Sequence, residues 1–238
     1  MFPGKRRRVA ASVFLMVILA AVASMAQEKE STAMTNKNQS PQADNPITMI
    51  DSLIFYPGGT IEFRDTDIDD ETLKAILRAV TPSASLCKWK LITVREKAHR
   101  LALLESMQAA YKAIDKPQWA AAMEHWKPAP AIMVFCMPKK IPDFTGVSSE
   151  IMHPMALIEL GSGVMSLILT ARVRGIETHW IASALIIQDT IKQRLDIPED
   201  YAIVFFGVAG YPATEVDQQF APLEDVCLME SWGNPVSP

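Results

Sequence analysis

Cysteine is scarce in this chain, and its spacing suits no cysteine chemistry. Cys87, Cys136 and Cys227 lie far apart with no paired spacing, so they suggest neither a zinc site nor a disulfide framework. One disulfide in an oxidising compartment, or buried free thiols, are the readings left. There is no Gly-x-Ser-x-Gly, no His-Glu-x-x-His and no glycine-rich phosphate loop, and no side-chain nucleophile or general base is evident. Histidine is equally sparse. His99 and His125 fall on polar helix faces, whereas His153 and His179 flank an apolar segment and could line a cavity, or in the case of His179 sit hydrogen-bonded in the core. No internal repeat is visible.

The N-terminus is where positive charge gathers. Lys5, Arg6, Arg7 and Arg8 form a basic region, Val13 to Ala23 an apolar one, and Ser24-Met25-Ala26 a small-x-small site, which together predict a signal peptide over residues 1–26. The arginine run fits either an ordinary secretory signal or twin-arginine export. Removing those four cations from the chain's 23 Lys+Arg leaves 19 against 27 Asp+Glu, a formal charge of −8. Nucleic acid and anionic lipid are disfavoured as partners at that charge. Residues 27–46 are polar, rich in Ser, Thr, Asn and Gln and without periodicity, and they read as a disordered linker. Residues 47–232 then form one domain.

Within that domain the dominant stretch is Met155 to Ile181, apolar nearly all round and closed by Arg172, Arg174 and Gly175. This predicts a long buried central helix, with Pro154 in its first turn, cations at its carbonyl end and Gly175 as its C-cap. Gly161, Ser162 and Gly163 would let another backbone or a flat ligand come close, or serve tight helix packing. Glu159 and the arginines argue against a membrane span, so the mature chain is expected not to insert into a membrane.

Around this helix, Asp67 to Asp70 predict the capped start of a helix carrying Leu73, Ile76, Leu77 and Val80, ended by Thr81-Pro82-Ser83. Trp89 to Val94 reads as a strand, Arg95 to Ile114 as an amphipathic helix, and Trp119 to Trp126 as a third helical piece with Pro117 near its start. Pro130 to Met137 and Tyr201 to Val208 are apolar runs of strand length, expected to be covered on both faces, with a strand or turn at Thr178 to Ile181 and a helix at Ile187 to Leu195 between them. The pattern is that of an α+β sandwich, a mixed β-sheet around the central helix with flanking helices.

Several segments, in order, resemble the nitroreductase family. Thr81-Pro82-Ser83-Ala84 followed by Trp89 is similar to the family's Ala-Pro-Ser-Ala-x-Asn-x-Gln-Pro-Trp. The central helix running into Gly175-Ile176-Glu177-Thr178-His179-Trp180-Ile181 is similar to a helix ending in Leu-Gly-Leu-Gly-Thr-x-Trp-Ile-Gly. Leu195-Asp196-Ile197-Pro198-Glu199 and then Gly207 to Pro212 match a Leu-Gly-Ile-Pro-Glu and Leu-Gly-Tyr-Pro pair. The resemblance spans about Asp51 to Val226. It implies an FMN-dependent NAD(P)H oxidoreductase, usually an intertwined homodimer with flavin at the subunit interface, reducing nitro, quinone or similar small-molecule acceptors. The chemistry would then belong to the flavin, the protein supplying position and donors.

The same resemblance exposes departures. Where the family opens Arg-Arg-Ser-x-Arg-x-Phe, with arginines on the flavin's phosphate, ribityl chain and ring edge, alignment on Phe63 places Pro57, Gly58, Gly59 and Ile61. Leu86-Cys87-Lys88 replaces a flavin-facing amide, and Phe220 stands where an Arg or Lys often holds the phosphate. Each lost charge-assisted hydrogen bond is worth roughly 1.5–3 kcal/mol, so FMN would be held weakly or in an altered way. The cofactor-binding candidates are Gly58 and Gly59 as a backbone anion nest, Lys88 as one charge, Ser83 and Ala84 beside the ring, and Ile181, Ala182 and Ser183 after the central helix. The structural alternatives are Ser83 as a turn cap and Ile181 to Ser183 as packing residues. Trp119, Trp126 and Trp180 read as core aromatics or stacking platforms. The expectation is an exported flavin oxidoreductase with an atypical site, in a compartment where nicotinamide donors are scarce. Its alternatives are a non-catalytic scaffold dimer that has lost FMN and a pocket refitted for another ligand.

Overall fold

The computed structural model describes residues 58–59, 62–84, 88–141, 146–214, 216–217 and 221–236. The expected signal and linker lie outside them, as do Pro57, Ile61, Leu86, Cys87 and Phe220.

Local signals account for most element boundaries. Asp69 caps α1 (Asp70–Arg78), its Oδ1 accepting from the Thr72 N–H at 2.8 Å. A 3-10 turn, Thr81–Ser83, ends that segment. After β2 (Lys90–Val94), the Glu96 carboxylate accepts from the Ala98 and His99 N–H groups and opens α2 (Lys97–Ala113). Pro117 begins α3 (Pro117–Ala122), which tightens into a 3-10 turn at Met123–Trp126. β1 (Gly58–Gly59), β3 (Ala131–Pro138), α4 (Ser149–Arg172), β4 (Glu177–Trp180), α5 (Gln188–Arg194), β5 (Tyr201–Gly210), β6 (Val216–Asp217) and α6 (Leu223–Val226) complete the set, with a 3-10 segment, Ala182–Ile187, leading into α5.

The main sheet has the order β2-β3-β5-β4, and each of its pairings is antiparallel rather than mixed. α2, α3 and a 3-10 turn lie between β2 and β3, and a 3-10 segment and α5 between β4 and β5; each connection returns the chain to the sheet end it left. The α+β sandwich stands; its sheet is simply all antiparallel.

β3 shows how the layers form. Ala131, Met133, Phe135 and Met137 pack with α1 and α4, while Ile132, Val134 and Cys136 pack with α2, α3 and α5. A continuous apolar run results because both faces are covered. The β3–β5 register slips between Phe135 and Cys136, so that adjacent Val204 and Phe205 both join the α4 layer.

The central helix differs from expectation in two ways. It begins at Ser149, so Pro154 lies inside it rather than in its first turn. It also buries one face only. Met152, Ala156, Leu160, Gly163, Val164, Leu167 and Ala171 are buried, while Ile151, Met155, Leu157, Ile158 and Met165 are exposed on the other side. One neighbouring layer can cover only one side of a helix. Its end follows the sequence closely: Gly175 has φ +70°, its N–H donates to Arg172 O at 2.9 Å, and the Ile176 N–H reaches Ala171 O at 3.0 Å. Those two bonds form a Schellman cap.

Candidate functional site

The turn Thr81–Ser83 is seated on α4. Ser162 Oγ donates to Ser83 Oγ at 3.0 Å, and the Trp89 indole Nε1–H donates to Ser83 O at 3.0 Å. A Cβ on Gly163 would lie 3.3 Å from Ser83 Cβ and 3.5 Å from a Trp89 ring carbon, so the chain's own turn uses the space that this glycine leaves. Gly161, by contrast, faces open space, with nothing within 4 Å of an added Cβ. Ala84 is exposed. Lys88 is exposed as well, and its carbonyl accepts from Tyr201 OH at 3.3 Å.

The second cluster lies just beyond β4. Ile181 is buried and its N–H donates to Phe206 O at 2.8 Å, which anchors the start of the following 3-10 turn. Ala182 is exposed, and Ser183 Oγ bonds Tyr111 OH at 3.0 Å. Burial pushes the Tyr111 phenol upward, which keeps it neutral. Ser83 therefore belongs to the α4 layer and Ser183 to the α2 layer.

Gly58 and Gly59 form strand β1, paired antiparallel with Asp217 and Val216, and β1 runs beside β4. Their backbone groups are engaged in that pairing, which is what the structure shows of these two cofactor-binding candidates. At the head of β4 the carboxylate of Glu177 is buried, raised in pKa by that burial and joined to Arg172 Nε at 3.5 Å.

The aromatics divide as core residues. Trp180 packs against Phe135 and Phe205 at centroid distances of 6.1 and 5.9 Å, Trp119 against Tyr111 at 5.7 Å, and Trp126 against His179 at 5.5 Å. Sequence reasoning missed one feature here. The Trp180 Nε1–H is buried without an acceptor among the described residues, and such a donor costs roughly 1–3 kcal/mol. Only the packing reveals it. His153 is exposed on α4, and His125 Nδ1 lies 3.2 Å from Glu62 Oε1. Cys136 and Cys227 are free; burial pushes the Cys136 thiol up to about 11, which leaves it inert at neutral pH. Among the described residues, two open grooves, of about 650 and 530 Å³, are lined by Ser106, Ala110, Thr190 and Arg194 and by Asp65, Asp67 and Arg95 with their neighbours. Neither contains a predicted site residue.

A sequence model described as the nitroreductase family matches residues 62–211. Among solved structures, the NADPH:FMN oxidoreductase of Vibrio harveyi, complexed with NAD+, is similar at 19% identity and TM-score 0.60, covering 77% of each chain. An oxidoreductase containing FMN is similar at 18% identity and TM-score 0.61, covering 83% of this chain and 99% of that one. A hypothetical oxidoreductase from Bacillus subtilis is similar at 19% identity and TM-score 0.59, covering 78% of this chain and 75% of its own. At these identities the structural likeness shows the fold. Among curated protein sequences there is no significant match.

Proposed function

Because the chain belongs to the nitroreductase family, we propose that it is an exported, homodimeric oxidoreductase that holds a flavin in an altered way and reduces small acceptors such as nitro compounds or quinones. The observation that carries this reading is the extent of the family match, which takes in both ring-facing segments, Ser83–Ala84 and Ile181–Ser183. Ser83 is held on α4 through Ser162, and Ser183 on α2 through Tyr111. The outer face of α4 supports the dimer. Ile158 is 73% exposed and Met165 53%, and the C-terminal stretch adds Leu223, Val226, Met229 and Trp232, the last 96% exposed. Apolar surface of that kind calls for a partner, and a second copy carries both patches.

The residues fit the ring of FMN better than its phosphate. The orphaned Trp180 Nε1–H is a donor of the kind that a ring carbonyl or a carbonyl of the second chain could meet. The exposed backbone at Ala182, held between buried Ile181 and the Ser183–Tyr111 bond, is a rigid edge for a planar ligand. Among the described residues no cationic cradle for a phosphate accompanies them: Gly58 and Gly59 are in a ladder, Ser83 Oγ is engaged by Ser162, and Lys88 is solvent-exposed.

A second reading, a scaffold dimer without flavin, is favoured by those engaged groups. The two are separated by the absorbance spectrum of the protein purified from its natural compartment, then by flavin titration of the apo form and by molar mass in solution. Flavin bands near-stoichiometric with a dimer, or micromolar or tighter flavin binding, support the oxidoreductase. A colourless dimer with no affinity for any flavin refutes it. Export is tested by N-terminal sequencing of the mature protein, with a start near Gln27 expected.

A further inference from the structure

The phenol of Tyr111 is wholly buried, with 0% of the residue exposed, and its ring is set edge-on against Trp119 at 5.7 Å. Its OH lies 3.0 Å from Ser183 Oγ, a contact across 72 positions of sequence in which either oxygen could be the donor. The chemistry of the two hydroxyls decides between them. Were Ser183 to donate, the phenolic hydrogen would be left in the core with no second partner among the described residues, and a buried donor without an acceptor is costly. When the phenol donates, its own hydrogen is satisfied, and the serine hydrogen goes to the half-buried side of Ser183, next to exposed Ala182. A phenol is also the stronger acid of the two, and burial keeps it neutral, so it holds a hydrogen to give.

The turn that carries Ser183 is fixed independently. Ile181 N–H reaches Phe206 O at 2.8 Å, Ala184 N–H closes on Ile181 O at 3.1 Å, and Ile181, Ala184 and Ile187 are buried. The backbone therefore sets where Ser183 stands, and Tyr111 sets where its hydroxyl points.

We propose that Tyr111 is a positioning residue of the candidate flavin site: by donating to Ser183 Oγ from the core, it turns the serine O–H outward as a fixed donor for an acceptor atom on the edge of a flavin ring. The inference rests on the flavin reading above, in which Ile181 to Ser183 face the ring. A pre-oriented donor acts most strongly where negative charge develops. A flavin ring gains electron density when it is reduced, so the Ser183 donor favours the reduced ring over the oxidised one. Tyr111 touches no ligand in this arrangement and acts through Ser183.

The test uses the full mature chain in apo form, titrated anaerobically with FMN and with riboflavin, each in oxidised and in reduced form. The quantity read is the ratio of reduced to oxidised affinity, which does not depend on turnover. Tyr111→Phe, which keeps the ring and removes the oxygen, should lower that ratio about fivefold, the worth of one net hydrogen bond. Ser183→Ala should lower it at least as far. In the Ser183→Ala background, Tyr111→Phe should have no further effect on the ratio, because the two residues act as one unit. A ratio unchanged in Tyr111→Phe, with only the urea midpoint lowered, would make the phenol a core hydrogen bond and nothing more. That outcome, or additive effects of the two substitutions, overturns the inference and leaves the flavin reading standing. Failure of both flavins to bind the wild type removes the flavin reading and the inference with it.

Discussion

The Trp180 indole occupies the space that a side chain at residue 207 would need. The two residues are register partners across β4 and β5, and a Cβ on Gly207 would stand 2.6 Å from Trp180 Cε3 and 2.9 Å from the His179 carbonyl oxygen. The glycine lets the ring lie over the sheet, where it reaches Phe135 and Phe205. Gly207→Ala must push either the ring or the β4 backbone away, and overpacking of this kind costs typically 1–3 kcal/mol. The expected outcome is a lower denaturant midpoint by about that amount, with a changed Trp180 fluorescence. An unchanged midpoint would mean that the ring has room to move.

The outer face of α4 is the expected dimer contact. Ile158→Glu places a charge at its most exposed apolar position, 73% accessible in one chain. Molar mass by light scattering should fall from two chains to one. A surface change in an already monomeric protein would alter stability by no more than about 0.5 kcal/mol and leave the mass unchanged.

Asp196 carries a left-handed backbone, with φ 49°, at the end of α5, where Ile197 N–H reaches back to Lys192 O at 3.0 Å. Asp tolerates this region at some cost that glycine does not bear. Asp196→Gly is expected to stabilise the fold by about 0.5–1 kcal/mol, read as a raised melting temperature, because the cap bond needs only the backbone. A lowered melting temperature would mean that the Asp side chain does more than fill the turn.

Stability should fall in acid. Hydrogen bonds hold several carboxyls below their ordinary values: Asp65 through Lys97, Asp70 through Arg95, Glu96 through the Ala98 and His99 N–H groups, and Glu199 through Lys192. A depressed folded pKa gives stability that is present above the unfolded value, 3.8 for Asp and 4.5 for Glu, and is lost as pH falls through the folded one. Glu177 works in the opposite sense: burial raises it, so its contribution is full below 4.5 and lost as pH rises through the raised value. Urea midpoints should be level near neutrality and drop below about pH 4. In Glu177→Gln the difference in stability between pH 7 and pH 4 should be larger than in the wild type, since the opposing group is gone.

Much of the fold was legible because its signals are local. Asp69 and Glu96 cap helices within three residues of themselves, Gly175 closes α4 within one turn, and the apolar run of β3 reflects burial on both faces. The start of α4 was not legible, because Pro154 reads as a first-turn residue while the helix tolerates it further in. The candidate site was legible as segments, not as a place. Ser83 and Ile181 to Ser183 could be named from their neighbours in sequence, but the partners that hold them could not.

By itself the sequence determined the longer helices, the apolar strands β2, β3 and β5 and the cap that ends α4, together with which cations are missing from the segments the resemblance compares. Periodicity, caps and composition act within a few residues, and a residue type does not change on folding. Only the tertiary structure decided that α4 buries one face and leaves the other apolar and open, and that Gly58 and Gly59 pair with Asp217 and Val216. It likewise joined Ser83 to Ser162, 79 positions away, and left the Trp180 N–H without an acceptor among the described residues. Each of these is settled by which surfaces meet, and contacts across such separations depend on the packing of whole layers rather than on any local preference.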